Sequence, residues 1–223
     1  MKRALVLLVL LALLALPTAP LGAQVTVDFT PRLGAYFPLR DLVVGTDPTT
    51  GLAQTQRAQT KFTIGGRLGV WLAPSFGFEG VVDYNKSGIR SVVGGFPSPP
   101  DIGSQFFAAT GRAMVRLGSG SGVAFILSAG GGLVDRGGDF IAGTSPPFTT
   151  YSGHTDVAAA GGIAFLVPLS NTVAARIDVD GMTYNAQYNN IFGPASISAQ
   201  RQYDLVITFG FTGPFKQYGI PGD

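Results

Sequence analysis

In eight stretches of this chain the side chains alternate between two faces, and every charge in those stretches falls on the same one. The stretches are 28–38, 61–72, 76–85, 106–117, 123–134, 157–167, 173–182 and 202–211. The charged parity holds Arg32, Lys61, Arg67, Arg112, Arg116 and Arg176 against Asp28, Glu79, Asp83, Asp178, Asp180 and Asp204. The opposite parity carries no charge. In "GGRLGVWLAPSFGFEGVVDY" (65–84) it presents Leu68, Val70, Leu72, Phe76, Phe78 and Val82, while Arg67, Glu79 and Asp83 take the other side. A period of two is that of β-strands, whose successive side chains point to opposite faces. No segment of the mature chain has a helical period. Connections of 73–75, 118–122 and 168–172 are short; those of 39–60, 86–105, 135–156 and 183–201 are long. The expected fold is all-β, an eight-stranded antiparallel up-and-down barrel. Short turns lie at one end. Long loops rich in Gly, Pro, Ser and Thr, read as irregular, lie at the other.

Alternation does not say which face is outside. Three features point the apolar face toward lipid. Its aromatics gather at the strand ends: Phe37, Phe62, Tyr84, Phe107 and Tyr203 toward the long loops, and Phe29, Phe76, Phe78, Phe125, Phe165, Phe209 and Phe211 toward the short turns or the chain ends. Gly, Ala, Val, Leu and Ile fill the middles, as in a membrane barrel with two interfacial girdles. The charged face is balanced, as an enclosed interior requires, because an unpaired buried charge is costly. Strands of this length also suit a tilted bilayer crossing. The expectation is a transmembrane barrel, with Arg67, Glu79 and Asp83 in the lumen and Leu68, Phe78 and Val82 in hydrocarbon. A soluble, exported barrel of the lipocalin kind, carrying a lipophilic ligand, would have the faces reversed.

The ends fit that reading. Met1-Lys2-Arg3, an apolar run over 4–16 and small residues at 21–23 form the layout of a secretory signal peptide, expected over 1–23. The run is too short for a membrane-spanning helix. The barrel is then expected over 24–212, with a short periplasmic tail over 213–223. Without Lys2 and Arg3 the basic and acidic side chains cancel, and no basic stripe suggests a nucleic-acid partner. The chain has no cysteine and thus no disulfide or thiolate metal site. "GGGLVDRGGD" (130–139) lacks the register of a calcium repeat, and "DVDG" (178–181) lacks the rest of a calcium loop. No cofactor is expected.

With its eight alternating strands, a signal peptide and the final strand "QYDLVITFGF", the sequence resembles the small eight-stranded outer-membrane barrels of the OmpA/OmpX type. The resemblance covers nearly all of 24–212. It implies an outer-membrane location in a Gram-negative-type bacterium. It also implies that Tyr203, Leu205, Ile207, Phe209 and Phe211 act as the signal to the barrel assembly machinery. The tail after 212 departs from the pattern, since the aromatic often ends such chains. It is too short for a cell-wall-binding domain.

An eight-stranded barrel is just wide enough for side chains to fill it. Charged residues together with Tyr36, Trp71 and Met114 should crowd this interior. A plugged lumen held by ion pairs is expected, built on Arg32, Arg67, Glu79, Asp83, Arg112, Arg116, Arg176, Asp178, Asp180 and Asp204. The matching function is non-catalytic: an envelope or structural protein in outer-membrane lipid, or one that displays loops 39–60, 86–105, 135–156 and 183–201 for adhesion or ligand contact; the plainer reading is that these loops pack over the barrel mouth. A lipid-modifying enzyme is the rival. Its only imidazole-based candidate is "YSGHTD", with Ser152, His154 and Asp156. In an extended segment those three side chains would point in parallel rather than converge, which disfavours a triad.

Overall fold

A computed structural model of the chain describes residues 25–46, 51–118, 122–137, 139–142, 149–152, 154–190 and 197–213. The expected signal peptide and residues 214–223 of the tail lie outside these. Twelve strands follow in order: β1 (Thr26–Pro38), β2 (Val43–Thr46), β3 (Ala53–Ala58), β4 (Lys61–Ala73), β5 (Phe76–Val93), β6 (Phe96–Leu117), β7 (Ala124–Gly137), β8 (Asp139–Ala142), β9 (Thr149–Ser152), β10 (Thr155–Pro168), β11 (Ala174–Asn190) and β12 (Ile197–Thr212).

Eight of these close into a barrel. The ladder runs β10-β7-β6-β5-β4-β1-β12-β11, and β11 pairs back onto β10, so no edge is left. Closure satisfies each backbone group across a neighbouring strand, the condition for crossing hydrocarbon with strands. All pairings are antiparallel. The start of β1 and the end of β12 share one rim with the short turns: Thr26 lies opposite Trp71, and Gly213 bridges back to Phe29.

The two faces separate sharply. Arg67, Glu79 and Asp83 are 1%, 3% and 1% exposed, whereas Leu68, Phe78 and Val82 are 48%, 47% and 44% exposed. The same sorting holds around the barrel: Phe29, Phe62, Phe107, Leu127, Ile163, Ile177, Ile207 and Phe209 all stand on the outer wall. A continuous belt of large apolar side chains on a closed surface would be a severe penalty in water and is at ease in lipid. The protein is a transmembrane barrel, and the face-reversed soluble barrel is excluded by its own surface. The outer aromatics form contacts along the wall. Tyr84 sits opposite Phe107 at the long-loop end. Near the short turns, Phe125 meets Phe165 edge-on at 5.0 Å, and Phe209 meets Phe211 likewise.

The expectation of irregular long loops is corrected over much of their length. β5 and β6 continue past the Tyr84–Phe107 pair to Val93 and Phe96, making 86–105 a protruding hairpin. Its turn is Gly94-Gly95, with φ of +58° and +87°. A two-residue turn that needs positive φ at both positions demands such residues, and the twist it imposes matches that of the flanking strands. Residues 39–60 supply the β2–β3 hairpin, whose second strand adds to β5. Residues 135–156 supply the β8–β9 hairpin, and β9 adds to β11. Gly, Ser and Thr read as loop residues by composition, yet here they sit in local hairpin ladders, two of which add to a barrel strand.

An ion-paired interior

The lumen is built in layers. In the middle, four arginines meet four carboxylates. Arg32, from β1, places Nε 2.9 Å from Asp83 Oδ1 and Nη2 2.8 Å from Asp180 Oδ2. Arg67, from β4, donates to Glu79 and lies 2.9 Å from Asp178 and 3.6 Å from Asp180. Arg112, from β6, pairs with Asp180 and donates through Nε to Thr110 Oγ1 at 3.1 Å. Arg176, from β11, pairs with Asp178 at 2.8 Å and reaches Glu79 at 3.4 Å. These eight groups come from β1, β4, β5, β6 and β11, so the cluster ties strands across the barrel as well as along its ladder. Its charges cancel. That matters because a charge taken out of water repays its desolvation only when paired and hydrogen-bonded.

Glycine makes the room. One hydrogen-bonded row reads Arg176, Gly210, Arg32, Gly65, Asp83 from strand to strand. A neighbouring row reads Asp28, Gly69, Glu79, Arg112, Gly130. Several of the large charged side chains thus have an empty slot beside them. A Cβ at Gly65 would lie 2.5 Å from Asp83 Oδ1, and one at Gly69 would lie 2.5 Å from Asp28 Oδ1. Such alternation of large and small residues is how a narrow barrel fits its filling.

Above and below this layer the interior is less charged. Toward the long loops, Arg136 on β7 pairs with Asp204 at 3.1 Å and stacks over the Tyr184 ring at 5.0 Å. Tyr184 donates to the same Asp204 carboxylate. Tyr36 packs on Phe106 with ring centroids 4.5 Å apart, within an apolar cluster that includes Ile89, Val134, Met182 and Val206. Toward the short turns, Trp71 donates from Nε1 to Asp28 Oδ2 at 2.6 Å. Trp71, Met114, Ile126 and Leu166 form the lower apolar cluster. Arg116 lies over the Trp71 ring at 5.0 Å.

The residues anticipated for the lumen therefore divide. Arg32, Arg67, Glu79, Asp83, Arg112, Arg176, Asp178 and Asp180 lie together in the central cluster. Asp204 belongs to the upper layer. Arg116 stands half-buried by the lower rim, over Trp71 instead of in the central cluster. Lys61, on the same parity, is exposed at the start of β4. Arg136 and Tyr184 were not anticipated, and Asp156, named only as a catalytic candidate, was not expected inside the barrel. The strands were expected to stop at 134, 182 and 157, one or two residues short of them. The signal was present, since each continues the inward parity of its strand.

Of the catalytic candidates, His154 and Asp156 do meet, with Nδ1 3.1 Å from Oδ1. Ser152 lies in β9, opposite Asn189, and its side chain falls outside the described residues. The main chain of His154 is engaged as well: its carbonyl accepts from the Arg136 amide at 3.2 Å. The "GGGLVDRG" stretch is part of β7 and "DVDG" is part of β11; neither forms a calcium loop.

No family model and no curated protein matches the sequence. Solved structures do match by fold. OprG, an outer-membrane protein from Pseudomonas aeruginosa, is 15% identical with a TM-score of 0.60, over 85% of this chain and 96% of that one. The outer-membrane protein AlkL is 12% identical with a TM-score of 0.63, over 92% of this chain and 98% of that one. Neisserial surface protein A is 10% identical with a TM-score of 0.51, over 86% of this chain and 99% of that one. At such identities the likeness is one of fold. The fold is that of the small eight-stranded outer-membrane barrels, and the lipid-facing exterior described above is the physical property that goes with it.

Proposed function

We propose that this protein serves the outer membrane as a closed, non-catalytic envelope barrel that carries β-hairpins above the bilayer for contact with an extracellular ligand. The observation that supports the closed interior is the neutral cluster of four arginines and four carboxylates, capped by an apolar layer on each side. An ion entering such a layer would have to displace buried pairs and leave its own water behind, and both are costly. Conductance across planar bilayers tests this reading. The reconstituted barrel should pass no stable, large single-channel steps; regular steps of that kind would refute it.

The display role rests on the hairpins. The β5–β6 hairpin rises beyond the girdle to a Gly94-Gly95 turn, after which Phe96 is 77% exposed, and the half-exposed Leu52 of the preceding connection lies by Gly94. An apolar tip on a stiff hairpin offers a contact surface to a partner outside the cell. Partners in this reading are outer-membrane lipid, the barrel assembly machinery acting on Tyr203, Leu205, Ile207, Phe209 and Phe211, and a ligand at the loop end. No cofactor is required. The His154–Asp156 pair is assigned a structural part, closing the end of β10 against β7. A lipase activity lost on His154→Ala would overturn that assignment.

A further inference from the structure

The outer wall is not uniformly convex. A groove of about 310 Å³ crosses β10, β11 and β12 on the lipid-facing side. Ala159, Gly161 and Gly181 floor it, and Leu39, Tyr203 and Leu205 flank it. Its depth follows from sequence: Gly161 faces Gly181 across the ladder and Gly181 faces Leu205, so two successive outward positions have no side chain. The space is real at Gly181, where an added Cβ would meet nothing nearer than a carbonyl at 4.0 Å. The groove rises from mid-barrel to Tyr203, in the long-loop girdle. It therefore lies within the outer half of the bilayer.

Two cations sit at its upper end. The Arg40 guanidinium is 5.0 Å from the centre of the Tyr203 ring, and that of Arg201 is 5.9 Å from it. Arg201 also donates from Nε to Thr183 Oγ1 at 3.3 Å, and Thr183 lines the groove. Both arginines are exposed, and neither forms an ion pair among the described residues. The adjacent Asp41 is instead approached by Arg57, at 3.9 Å. Two guanidiniums held against one interfacial ring present a pre-arranged set of donors, the geometry that suits phosphate oxygens. Below them, an apolar slot at membrane depth suits hydrocarbon.

We propose that this groove binds one phosphorylated, acylated lipid of the outer leaflet, with an acyl chain along Gly161 and Gly181 and a phosphate between Arg40 and Arg201. The charge pattern selects this occupant over a second copy of the barrel, which would bring its own Arg40 and Arg201 to the same rim.

Native mass spectrometry of the full barrel in mild detergent tests the site, with hexa-acylated, bis-phosphorylated lipid A as the probe. The wild type should retain one lipid molecule. Retention should fall about tenfold or more when both phosphates are removed from the probe, and equally in the R40Q/R201Q variant, since each charge-assisted contact contributes that much. Gly181→Leu, which fills the slot from a position whose added Cβ meets only a carbonyl at 4.0 Å, should abolish retention while leaving heat-modifiable folding intact. Lys86→Gln, an exposed outward cation elsewhere on the wall, should change nothing. Equal retention by all variants, no retention by the wild type, or a barrel dimer lost on Gly181→Leu in place of a lipid adduct would each overturn the proposal.

Discussion

Replacing Arg67 by methionine removes the most heavily shared cation of the interior. Arg67 contacts three carboxylates, Glu79, Asp178 and Asp180, and is almost wholly buried. Breaking a buried ion pair from one side costs about 3–5 kcal/mol, because an uncompensated charge stays behind. Here the neighbours soften the loss. Glu79 keeps Arg176 at 3.4 Å and Arg112 at 3.9 Å; Asp178 keeps Arg176; Asp180 keeps Arg32 and Arg112. No carboxylate is stranded, yet the cluster carries four negative charges against three positive. The expected destabilisation is therefore at the lower end, about 3 kcal/mol. The double variant R67M/E79Q restores neutrality, and it should be less destabilised than the sum of its single variants by about 1–3 kcal/mol. Urea unfolding from phospholipid vesicles can be followed by Trp71, the only tryptophan of the chain, which is buried against Asp28 when folded. A loss of no more than about 1 kcal/mol for Arg67→Met, with no coupling to Glu79, is what a hydrated and screened pair would give. That result would refute the sealed interior.

The glycine slots allow a paired test. Gly65→Val forces a side chain onto Asp83 and should cost about 1–3 kcal/mol through overpacking. Gly111→Val, on the outer wall with open space at its Cβ, should be close to neutral in the same unfolding measurement. If the two behaved alike, the inward glycines would not be spacers. For assembly, Phe211→Ala removes an exposed aromatic of the last strand that stacks on Phe209 and leaves every lumen contact in place. Heat-modifiable barrel in cell envelopes should fall several-fold, while refolding of the purified chain into detergent stays normal. Unchanged envelope levels would remove this strand's ending from the assembly signal.

The alternation of apolar and charged residues made the fold legible, because a barrel strand repeats its two environments along its span, with register shifts confined to the strand ends and the hairpin beyond the girdle. Arg67, Glu79 and Asp83 could be placed inside from parity and charge balance alone. Partner choice could not. Which carboxylate Arg67 meets depends on stagger between strands far apart in sequence, such as β4 and β11. The strand ends were also hard to read. On β7 the expected strand ended at Val134, before "DRGG", yet the ladder runs on through Arg136 to Gly137. Inward glycines are hidden in sequence for a related reason. Gly65 and Gly69 have no side chain to mark a face, and their role appears only when Arg32, Asp83 and Asp28 are seen lying across them. The groove beneath Arg40 and Arg201 was equally hidden, since it joins positions on three strands.

Carbene labelling from within the bilayer probes the arrangement of the two faces most directly. A hydrophobic diazirine dissolved in vesicles holding the unmodified protein is photolysed, and its insertion sites along β10 and β11 are mapped by mass spectrometry. Ile163, Phe165, Val167 and Ile177 should take the label, while Ala164, Leu166 and Met182, which point into the barrel, should not. Label on Leu166 and Met182 with Ile163 and Phe165 spared would turn the barrel inside out and contradict the account.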